Sequence, residues 1–415
     1  MIAGGFKIRW SGLLGLTILA AGCSDCGEGP EPENAEIQFV SDKTALENAF
    51  NSTFVFEVRL DASNTQEVTV DYKTEPFTDG LDCLSAWPGE DFVQQEGQLV
   101  FAPGEIKKTI SIPIVIDDVL ESEERFNVVL SNPVNGYLKG NQQVATGTIL
   151  NDDTDLVVNL PEGGYDTPHS PSSPPEGMTL VWADEFDGTS IDMNNWTHEL
   201  GAGGWGNNEL QAYTADPQNS FIMDGNLVIA AMAEGAGYTS ARMITKDKQE
   251  FVFGRIDIRA VLPSGQGLWP ALWMLGANWG ETSWPGCGEI DIMELLGHQP
   301  NIVHGTAHWG AISGGGHPNL GSFEYAESGT TYSDEYHVFS LEWSQDTMRW
   351  LMNEEPYFQL ITGEHASLQE ETPFNDPFFF IFNVAVGGNW PGYPDECTLF
   401  PQFMAVDYVR VYQEQ

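Results

Sequence analysis

Three carboxylates fall within six residues of the stretch Cys287-Gly288-Glu289-Ile290-Asp291-Ile292-Met293-Glu294-Leu295-Leu296-Gly297. In a β-strand alternate residues face the same side, so Glu289 and Asp291 share one face and the isoleucines pack on the other. Glu294 breaks this alternation, because it lies five residues after Glu289. We therefore predict that Met293 is the extra residue of a β-bulge that turns Glu294 onto the carboxylate face. A helix is the poorer interpretation, since positions five apart do not share one stripe.

Crowding of three acids on one face raises at least one pKa, so one carboxyl stays protonated near neutrality while another is ionised. Retaining glycoside hydrolysis needs such a pair, with one carboxylate attacking the sugar carbon and one carboxyl protonating the leaving oxygen. The alternatives are a solvated acidic edge strand or a calcium site. The large apolar residues between the acids and the tryptophans around them favour catalysis.

The run from Glu289 to Glu294 resembles the active-site signature of glycoside hydrolase family 16, in the variant with an inserted Met. Further stretches in family order resemble its laminarinase-like (endo-1,3-β-glucanase) branch, and the resemblance covers about residues 180–412. They are Gly203-Gly204-Trp205-Gly206-Asn207-Asn208-Glu209-Leu210-Gln211, Gly267-Leu268-Trp269-Pro270-Ala271-Leu272-Trp273-Met274-Leu275, Gly305-Thr306-Ala307-His308-Trp309, Asn383-Val384-Ala385-Val386-Gly387-Gly388-Asn389-Trp390-Pro391-Gly392 and Val406-Asp407-Tyr408-Val409-Arg410-Val411-Tyr412.

The resemblance implies roles for individual residues. Glu289 matches the nucleophile, Glu294 the acid/base, and Asp291 the residue that tunes the nucleophile. The positions that match substrate-binding residues or suit sugar stacking are Trp205, Asn208, Arg255, Trp269, Trp273, His308, Asn383 and Trp390. Core packing remains the alternative for any single Trp, and a structural role the alternative for His308.

Composition limits the partners of the chain. Acids outnumber bases 61 to 16 over 415 residues, for a formal net charge of −45. Nucleic acid and anionic membrane surfaces are therefore poor partners, whereas a neutral polysaccharide or divalent cations suit this charge. We expect a monomer without an organic cofactor.

The N-terminal segment is typical of an exported protein. Lys7 and Arg9 precede an apolar run too short to span a membrane, as in a signal peptide over residues 1–22. The ending Leu19-Ala20-Ala21-Gly22-Cys23 resembles a lipobox, which implies lipidation of Cys23 and an outer-membrane or cell-surface lipoprotein. An ordinary secretory signal is the alternative. Residues 23–36 then form a tether.

Residues 37–153 show alternating strands at a spacing near ten residues, which predicts a β-sandwich. The order of its turns resembles a Calx-β domain of immunoglobulin type. Convergent loop carboxylates supply the oxygens that calcium prefers. By resemblance the possible calcium ligands are Glu47, Asp91, Asp117, Asp118, Glu121, Glu124, Asp152 and Asp153. A spacer without calcium is equally compatible with the sequence.

A Pro/Gly/Ser-rich linker over residues 154–177 leads to a catalytic domain over residues 178–415. Recurrent period-2 stretches and the absence of a long helical pattern predict two packed sheets, and the resemblance implies a concanavalin-like jelly roll. The fold class is therefore all-β in both domains. Glu185, Gly225 and Asp407 match a structural calcium site of the family.

The cysteines leave a question open. Cys287 lies two residues before Glu289 and Cys397 in a loop near the chain end, and an exported protein can join them. A free, buried Cys287 is the alternative. Zinc is not indicated, because no CxxC repeat and no HExxH occurs.

We predict a retaining endo-β-glycosidase acting on 1,3-β-glucan. The alternatives are the same mechanism on mixed-linkage glucan, agarose or carrageenan, a non-catalytic surface glycan-binding lipoprotein, and a calcium-dependent adhesin. The Gly-Trp-Gly-Asn-Asn run favours 1,3-glucan by resemblance, and the intact acids disfavour a non-catalytic sandwich.

Overall fold

The computed structural model describes residues 34–48, 53–78, 82–117, 121–152, 160, 174–235, 237–310, 319–326, 331–364 and 372–414. The predicted signal peptide, the predicted lipidation site Cys23, most of the tether and linker, and Asp118 and Asp153 lie outside these ranges. Within them the chain is made of strands and a few short 3-10 turns, and no helix is long and apolar enough to cross a membrane. The prediction of an all-β chain is confirmed.

The first domain is a sandwich of two sheets. Its strands are β1 (Ala35–Phe39), β2 (Lys43–Leu46), β3 (Thr53–Leu60), β4 (Val68–Pro76), β5 (Glu96–Phe101), β6 (Lys107–Pro113), β7 (Glu124–Val134), β8 (Gly136–Leu138) and β9 (Val144–Leu150). One sheet has the order β6-β3-β1-β8 and the other β2-β9-β7-β4-β5. In β3 every second residue is buried, because one face packs on the opposing sheet while the other meets solvent.

The second domain is built from two larger sheets. Its strands are β10 (Met178–Asp184), β11 (Thr197–His198), β12 (Gln211–Tyr213), β13 (Ser220–Met223), β14 (Asn226–Glu234), β15 (Gly237–Ser240), β16 (Arg242–Ile244), β17 (Glu250–Phe251), β18 (Gly254–Val261), β19 (Leu268–Gly276), β20 (Glu289–Leu295), β21 (Ile302–His308), β22 (Asn319–Ala326), β23 (His337–Trp343), β24 (Thr347–Met352), β25 (Glu355–Ile361), β26 (Phe378–Val386) and β27 (Gln402–Glu414). The first strand, β10, pairs antiparallel with the last, β27, so the two ends of this domain close on each other.

The two sheets of the second domain enclose its core and leave one outer face for a site. The ten-stranded sheet runs β12-β15-β14-β27-β18-β23-β24-β25, and in addition β10 pairs with β27 and β13 with β14. The eight-stranded sheet runs β11-β16-β26-β19-β20-β21-β22, and in addition β17 pairs with β26. Between them lies one large apolar core that includes Ile290, Ile292 and Met293. All nine residues of β26 are buried, as the nearly unbroken apolar run of this strand predicts. The opposite face of the eight-stranded sheet is free to hold a site.

The bulge predicted in β20 is present. Asp291 pairs with Thr306 and Glu294 with His304, so Ile292 and Met293 together oppose the single residue Gly305. Met293 is fully buried in the core. The backbone carbonyl of Asp291 accepts a hydrogen bond from the Trp350 indole N–H at 2.7 Å. The bulge is therefore fixed from the core side, by packing and by one buried hydrogen bond.

The cysteine pairing differs from the pair considered from sequence. Cys397 forms a disulfide with Cys83 of the first domain across 314 residues, and Cys287 is free and buried. Burial raises the pKa of the Cys287 thiol to about 11, which keeps it protonated and unreactive at neutral pH. Sequence spacing could not reveal this pairing, because it joins two domains.

Replacing Gly305 by Ala is expected to destabilise the domain by about 1–3 kcal/mol through overpacking. A Cβ at this position would lie 2.6 Å from the Tyr357 hydroxyl and 2.7 Å from Trp350 Cδ1. Thermal unfolding measures the effect. Gly363→Ala is the matched control, because its Cβ meets no atom within 4 Å. An unchanged melting temperature for Gly305→Ala would mean that the bulge tolerates a displaced Trp350.

Candidate active site

A cavity of about 660 Å³ lies on the exposed side of the eight-stranded sheet. The strand order brings β16, β26, β19, β20 and β21 side by side beneath it. Its lining residues include nine of the residues chosen from sequence, which are Glu289, Asp291, Glu294, Trp205, Trp269, Trp273, His308, Asn383 and Trp390. One half of the sheet thus collects residues that are up to 185 positions apart in the chain, from Trp205 to Trp390.

The three acids of β20 project into this cavity. Glu289 pairs across the sheet with His308, and Glu294 pairs with His304 on the far side of the bulge. Glu294 is only 9% exposed and Asp291 3%. The bulge turns Glu294 toward the other two acids, as the sequence predicts. Both glutamates therefore face the same space, while Ile290, Ile292 and Met293 fill the core.

Each glutamate has its own indole donor. The Trp284 N–H donates to Glu289 Oε2 at 3.0 Å, and the Trp269 N–H donates to Glu294 Oε1 at 3.0 Å. His308 Nε2 lies 3.2 Å from Asp291 Oδ2 and 3.6 Å from Glu289 Oε1. These contacts fix the orientation of both carboxyl groups.

Burial raises the pKa of all three acids. It raises the pKa of Glu289 to about 8, with a further rise from the charge of Asp291 and a decrease from His308. The pKa of Asp291 is raised to about 8 by burial, and that of Glu294 well above its usual range by burial and by both neighbouring acids. Since the groups interact, they titrate together. The arrangement favours a neutral Glu294 beside a group that releases its proton first.

Aromatic rings form the walls of the cavity. Trp269 and Trp390 meet edge to face with ring centroids 5.4 Å apart, and Trp390 is 39% exposed. Trp205 lies in a loop whose backbone has positive φ at residues 203–206 and 208. Glycine at 203, 204 and 206 permits this left-handed path, which turns the Trp205 ring toward the sheet. Such rings can stack on the C–H faces of pyranoses.

A cation that the sequence analysis did not select lies between two of these rings. The Arg242 guanidinium is 4.9 Å from the Trp205 ring centroid and 4.8 Å from that of Trp273. Its Nε donates to Glu199 at 2.6 Å. Its charge lowers the pKa of Glu289, against the effect of burial. The alternation of buried Ala241 and Met243 around Arg242 was the available signal, because it places Arg242 on the cavity face.

Asparagine residues connect the walls to the loops. Asn383 accepts from the Trp273 indole at 2.7 Å and donates to the Tyr213 hydroxyl at 3.0 Å. The Asn208 side chain donates to Asn389 at 2.9 Å, so it joins the Trp205 loop to the Trp390 loop. Asn208 itself does not line the cavity, although Asn207 and Glu209 do.

The structure does not bring Arg255 to the site. This residue lies on β18 in the ten-stranded sheet, where it is buried against Asp257, Glu342 and Glu354. Its assignment to the cleft is therefore corrected to a structural ion-pair network. The sequence suggested the wrong face, because an arginine in a strand reads alike on either sheet.

Trp284 and Trp279 are further lining residues that the sequence analysis did not choose. Trp284 is five residues before Glu289, in the turn that leads into β20. Its nearness to the acidic stretch was a usable signal, because a side chain in that turn can reach back over the start of the strand.

The acids of the first domain gather at one end of its sandwich. Asp91, Glu121 and Glu124 offer carboxylate oxygens within 4.8 Å of one another, and Glu47 lines the same small cavity. Glu47 accepts from the backbone N–H of Asp117 at 2.8 Å, and Asp152 accepts from that of Asn48 at 3.2 Å. The pKa of Glu121 is raised to about 7 and that of Glu124 to about 9. Burial is the largest cause for both residues, and the charge of Asp91 is the second.

The second predicted calcium set is occupied by arginines. Glu185 accepts two hydrogen bonds from Arg410 at 2.7 and 2.8 Å, and Asp407 accepts from Arg259 at 2.6 Å. Gly225 lies in the turn between β13 and β14 with φ 75°. A cation at this position would compete with two guanidinium groups for the same carboxylates.

The raised pKa of Glu294 predicts how the stability of the second domain depends on pH. A carboxyl whose pKa is raised on folding holds its proton more tightly in the folded state, so stability falls as pH rises above the unfolded value of about 4.5. Glu294→Gln, which has no charge to bury, is expected to melt about 2–4 °C above the wild-type chain at pH 8 and equally with it near pH 4.5. Glu234→Gln, at an exposed position, is the control. A lower melting temperature at pH 8 would contradict the burial argument.

Comparison with known proteins agrees with this site. A family model for glycosyl hydrolases family 16 matches residues 207–409, and one for the Calx-beta domain matches residues 32–153. The beta-glucanase of Rhodothermus marinus is 41% identical over 247 residues, which cover 56% of this chain and 85% of the relative. The glucan endo-1,3-beta-glucosidase A1 of Niallia circulans is 36% identical over 322 residues, which cover 71% of this chain and 47% of the relative. The chain therefore spans about half the length of the latter.

The solved structures of related proteins agree with these family matches. The laminarinase catalytic domain of Thermotoga maritima MSB8 superposes with a TM-score of 0.53 at 48% identity, covering 58% of this chain and 100% of that one. Its coverage fits the second domain, whose fold is thus the predicted jelly roll. The bulged strand of acids, the tryptophan-lined cavity and these relatives together show that the chain belongs to glycosyl hydrolases family 16, with a catalytic domain of the endo-1,3-β-glucanase (laminarinase) type preceded by a Calx-β domain.

Proposed function

We propose that the whole protein is a retaining endo-1,3-β-glucanase in which Glu289 is the nucleophile and Glu294 the acid/base. The observation that carries this proposal is the pair of glutamates on one bulged strand, each held by an indole donor on the floor of a tryptophan-lined cavity. Two fixed carboxyl groups on one face are what double displacement requires.

In the first step, the ionised Glu289 carboxylate attacks the anomeric carbon while Glu294 donates its proton to the glycosidic oxygen of the leaving chain. In the second step, ionised Glu294 takes a proton from water, which attacks the same carbon and releases Glu289. The order of pKa values fits these roles. Burial raises the pKa of both glutamates, and His308 and an indole donor lower both. Two acidic neighbours raise the pKa of Glu294, whereas Glu289 has only Asp291 as such a neighbour and is also affected by Arg242, which lowers its pKa.

Asp291 lies between the two glutamates and acts through Glu289. Its charge raises the pKa of Glu289, and His308 lies between both carboxylates. A proton that moves from Glu289 to the Asp291–His308 pair leaves the nucleophile charged at the moment of attack. We therefore assign Asp291 and His308 as positioning residues for the nucleophile.

The substrate class follows from charge and aromatic lining. A net charge of −45 disfavours sulfated glycans, and the tryptophan walls suit the apolar faces of a neutral polysaccharide. The Niallia circulans and Thermotoga maritima relatives, which carry the names of an endo-1,3-glucosidase and a laminarinase, support 1,3-β-glucan. Mixed-linkage glucan, agarose and carrageenan remain the alternative substrates, and a glycan-binding lipoprotein the non-catalytic alternative.

We also propose that the protein is exported as a monomeric lipoprotein of the outer membrane or cell surface, anchored only through Cys23. The support is the signal-like N-terminus and the lipobox-like Leu19-Ala20-Ala21-Gly22-Cys23. The Cys83–Cys397 disulfide agrees with an oxidising compartment.

Calcium is proposed as a structural ion of the first domain. Asp91, Glu121, Glu124 and Glu47 supply convergent carboxylates, and a divalent cation would relieve their repulsion. Asp117, Asp118, Asp152 and Asp153 stay predicted ligands from the adjoining loops. The set Glu185, Gly225 and Asp407 stays a prediction as well, with two arginines as competitors.

The catalytic proposal is tested with the full chain on laminarin, mixed-linkage glucan, agarose and carrageenan. We expect oligosaccharides from laminarin and none from agarose or carrageenan. We expect Glu289→Gln to lower the rate at least about 10³-fold, because a neutral amide cannot replace the attacking carboxylate. Product chromatography measures both, and NMR of the first product reports the anomeric configuration. A first product of inverted configuration would contradict double displacement. Products only from another glycan would retain the mechanism and reject the specificity.

The calcium proposal is tested by thermal unfolding. At pH 8, calcium at 100 times its dissociation constant is expected to stabilise the first domain by about 2.7 kcal/mol. The gain should shrink toward pH 5, because the ligands then hold protons that calcium must displace. The double substitution Glu121→Gln and Glu124→Gln is expected to abolish it, whereas Glu67→Gln, at an exposed position, should not. A calcium effect that survives the double substitution would point to another site.

A further inference from the structure

The two domains are connected by a disulfide in addition to the chain. The Cα atoms of Cys83 and Cys397 lie 5.8 Å apart. Beside this bond, the Ser122 hydroxyl donates to the Glu396 carbonyl at 3.5 Å. Cys397 lies in the loop that follows β26 and that also carries Trp390, a lining residue of the active-site cavity. The first domain is therefore fastened to the rim of the cavity.

On the first-domain side, an aromatic ring four residues after Cys83 is exposed to solvent. Trp87 is the single tryptophan between residues 37 and 153, and it is 45% exposed. Its main chain is well fixed, because its N–H donates to the Asp91 carboxylate and its carbonyl accepts from the Asp91 N–H at 3.0 Å. A fixed backbone with an exposed indole is a suitable platform for stacking, because a Trp side chain has only two rotatable bonds to order on binding.

On the catalytic side, the rim loop also presents aromatic rings. Trp390 is 39% exposed and Tyr393 55% exposed. Trp87 is four residues from Cys83, and Tyr393 is four residues from Cys397. An extended chain spans at most about 3.6 Å per residue, so each of these Cα atoms lies within about 14 Å of its own half-cystine. With 5.8 Å between the two half-cystine Cα atoms, the disulfide keeps the Cα atoms of Trp87 and Tyr393 within about 34 Å of each other.

We propose that Trp87 forms a distal stacking subsite that continues the glucan-binding surface of the cavity past Trp390 and Tyr393 onto the first domain. The ligand is the neutral pyranose chain of a long 1,3-β-glucan, so the inference rests on the proposed function. The acidic neighbours Glu90 and Asp91 and the net charge of −45 disfavour an anionic polymer or lipid at this place. In this assignment the first domain binds substrate through Trp87. The disulfide then limits how far the Trp87 ring can move from the cavity.

Kinetics of the full chain on a long and a short substrate test the subsite. Trp87→Ala is expected to raise the ratio of KM for laminarin to KM for laminaritriose about three- to tenfold, the effect of losing one aromatic contact. The matched control is Tyr137→Ala. Tyr137 is 47% exposed and its hydroxyl bonds to Glu36, at the opposite end of the sandwich. The control should leave the ratio unchanged.

The double substitution Cys83→Ser and Cys397→Ser tests the role of the disulfide. It is expected to raise the same ratio, because Trp87 then loses its fixed position relative to the cavity. A ratio equal to that of the wild-type chain in the Trp87 variant would overturn the proposal. Loss of binding to phosphatidylglycerol–phosphatidylethanolamine vesicles in that variant, without a change in the ratio, would overturn it in favour of membrane contact.

A binding measurement separates this inference from the proposed function. Retardation of the Glu289→Gln chain in a native gel containing laminarin needs no catalysis. Weaker retardation after Trp87→Ala in that background supports the subsite, and equal retardation overturns it. Failure of the wild-type chain to release products from laminarin would instead contradict the proposed function alone.

Discussion

Repulsion among three buried carboxylates on one strand is the constraint on which the rest of the second domain depends. Glu289, Asp291 and Glu294 share one side of β20, and burial raises the pKa of each. Such a group is tolerated only where its surroundings are fixed. The bulge is locked by Met293 in the core and by the Trp350 hydrogen bond, and the carboxyl groups are held by indole donors. The stability of the core thus maintains a site that is itself unfavourable.

The division between two sheets explains how the domain meets this constraint. The ten-stranded sheet covers one side of the core, and the eight-stranded sheet presents its outer side to substrate. The fully buried β26 lies between β16 and β19, so it connects the Arg242 wall to the tryptophan wall. Substrate recognition is then spread over loops that different strands deliver, while the reacting groups remain on a single rigid strand.

Local pattern predicted much of this structure. Recurrent period-2 stretches predicted an all-β chain with two packed sheets in the second domain, and the five-residue offset of Glu294 predicted the bulge. What the pattern lacked was information on which sheet a strand joins. The cleft role that the resemblance implies for Arg255 is therefore wrong, because β18 belongs to the other sheet, and alternation alone does not single out Arg242. The Cys83–Cys397 bond was equally inaccessible, because it depends on the approach of two domains rather than on spacing along the chain.

That bond also changes the topology of the molecule. It closes a covalent ring that contains the whole Pro/Gly/Ser-rich linker, since residues 154–177 lie between its two cysteines. A single cut by a protease anywhere within the ring opens it but leaves one connected molecule. An enzyme tethered in a protease-rich environment would therefore keep its catalytic domain attached after a protease cut in the linker. Without the disulfide, the same cut would release the catalytic domain.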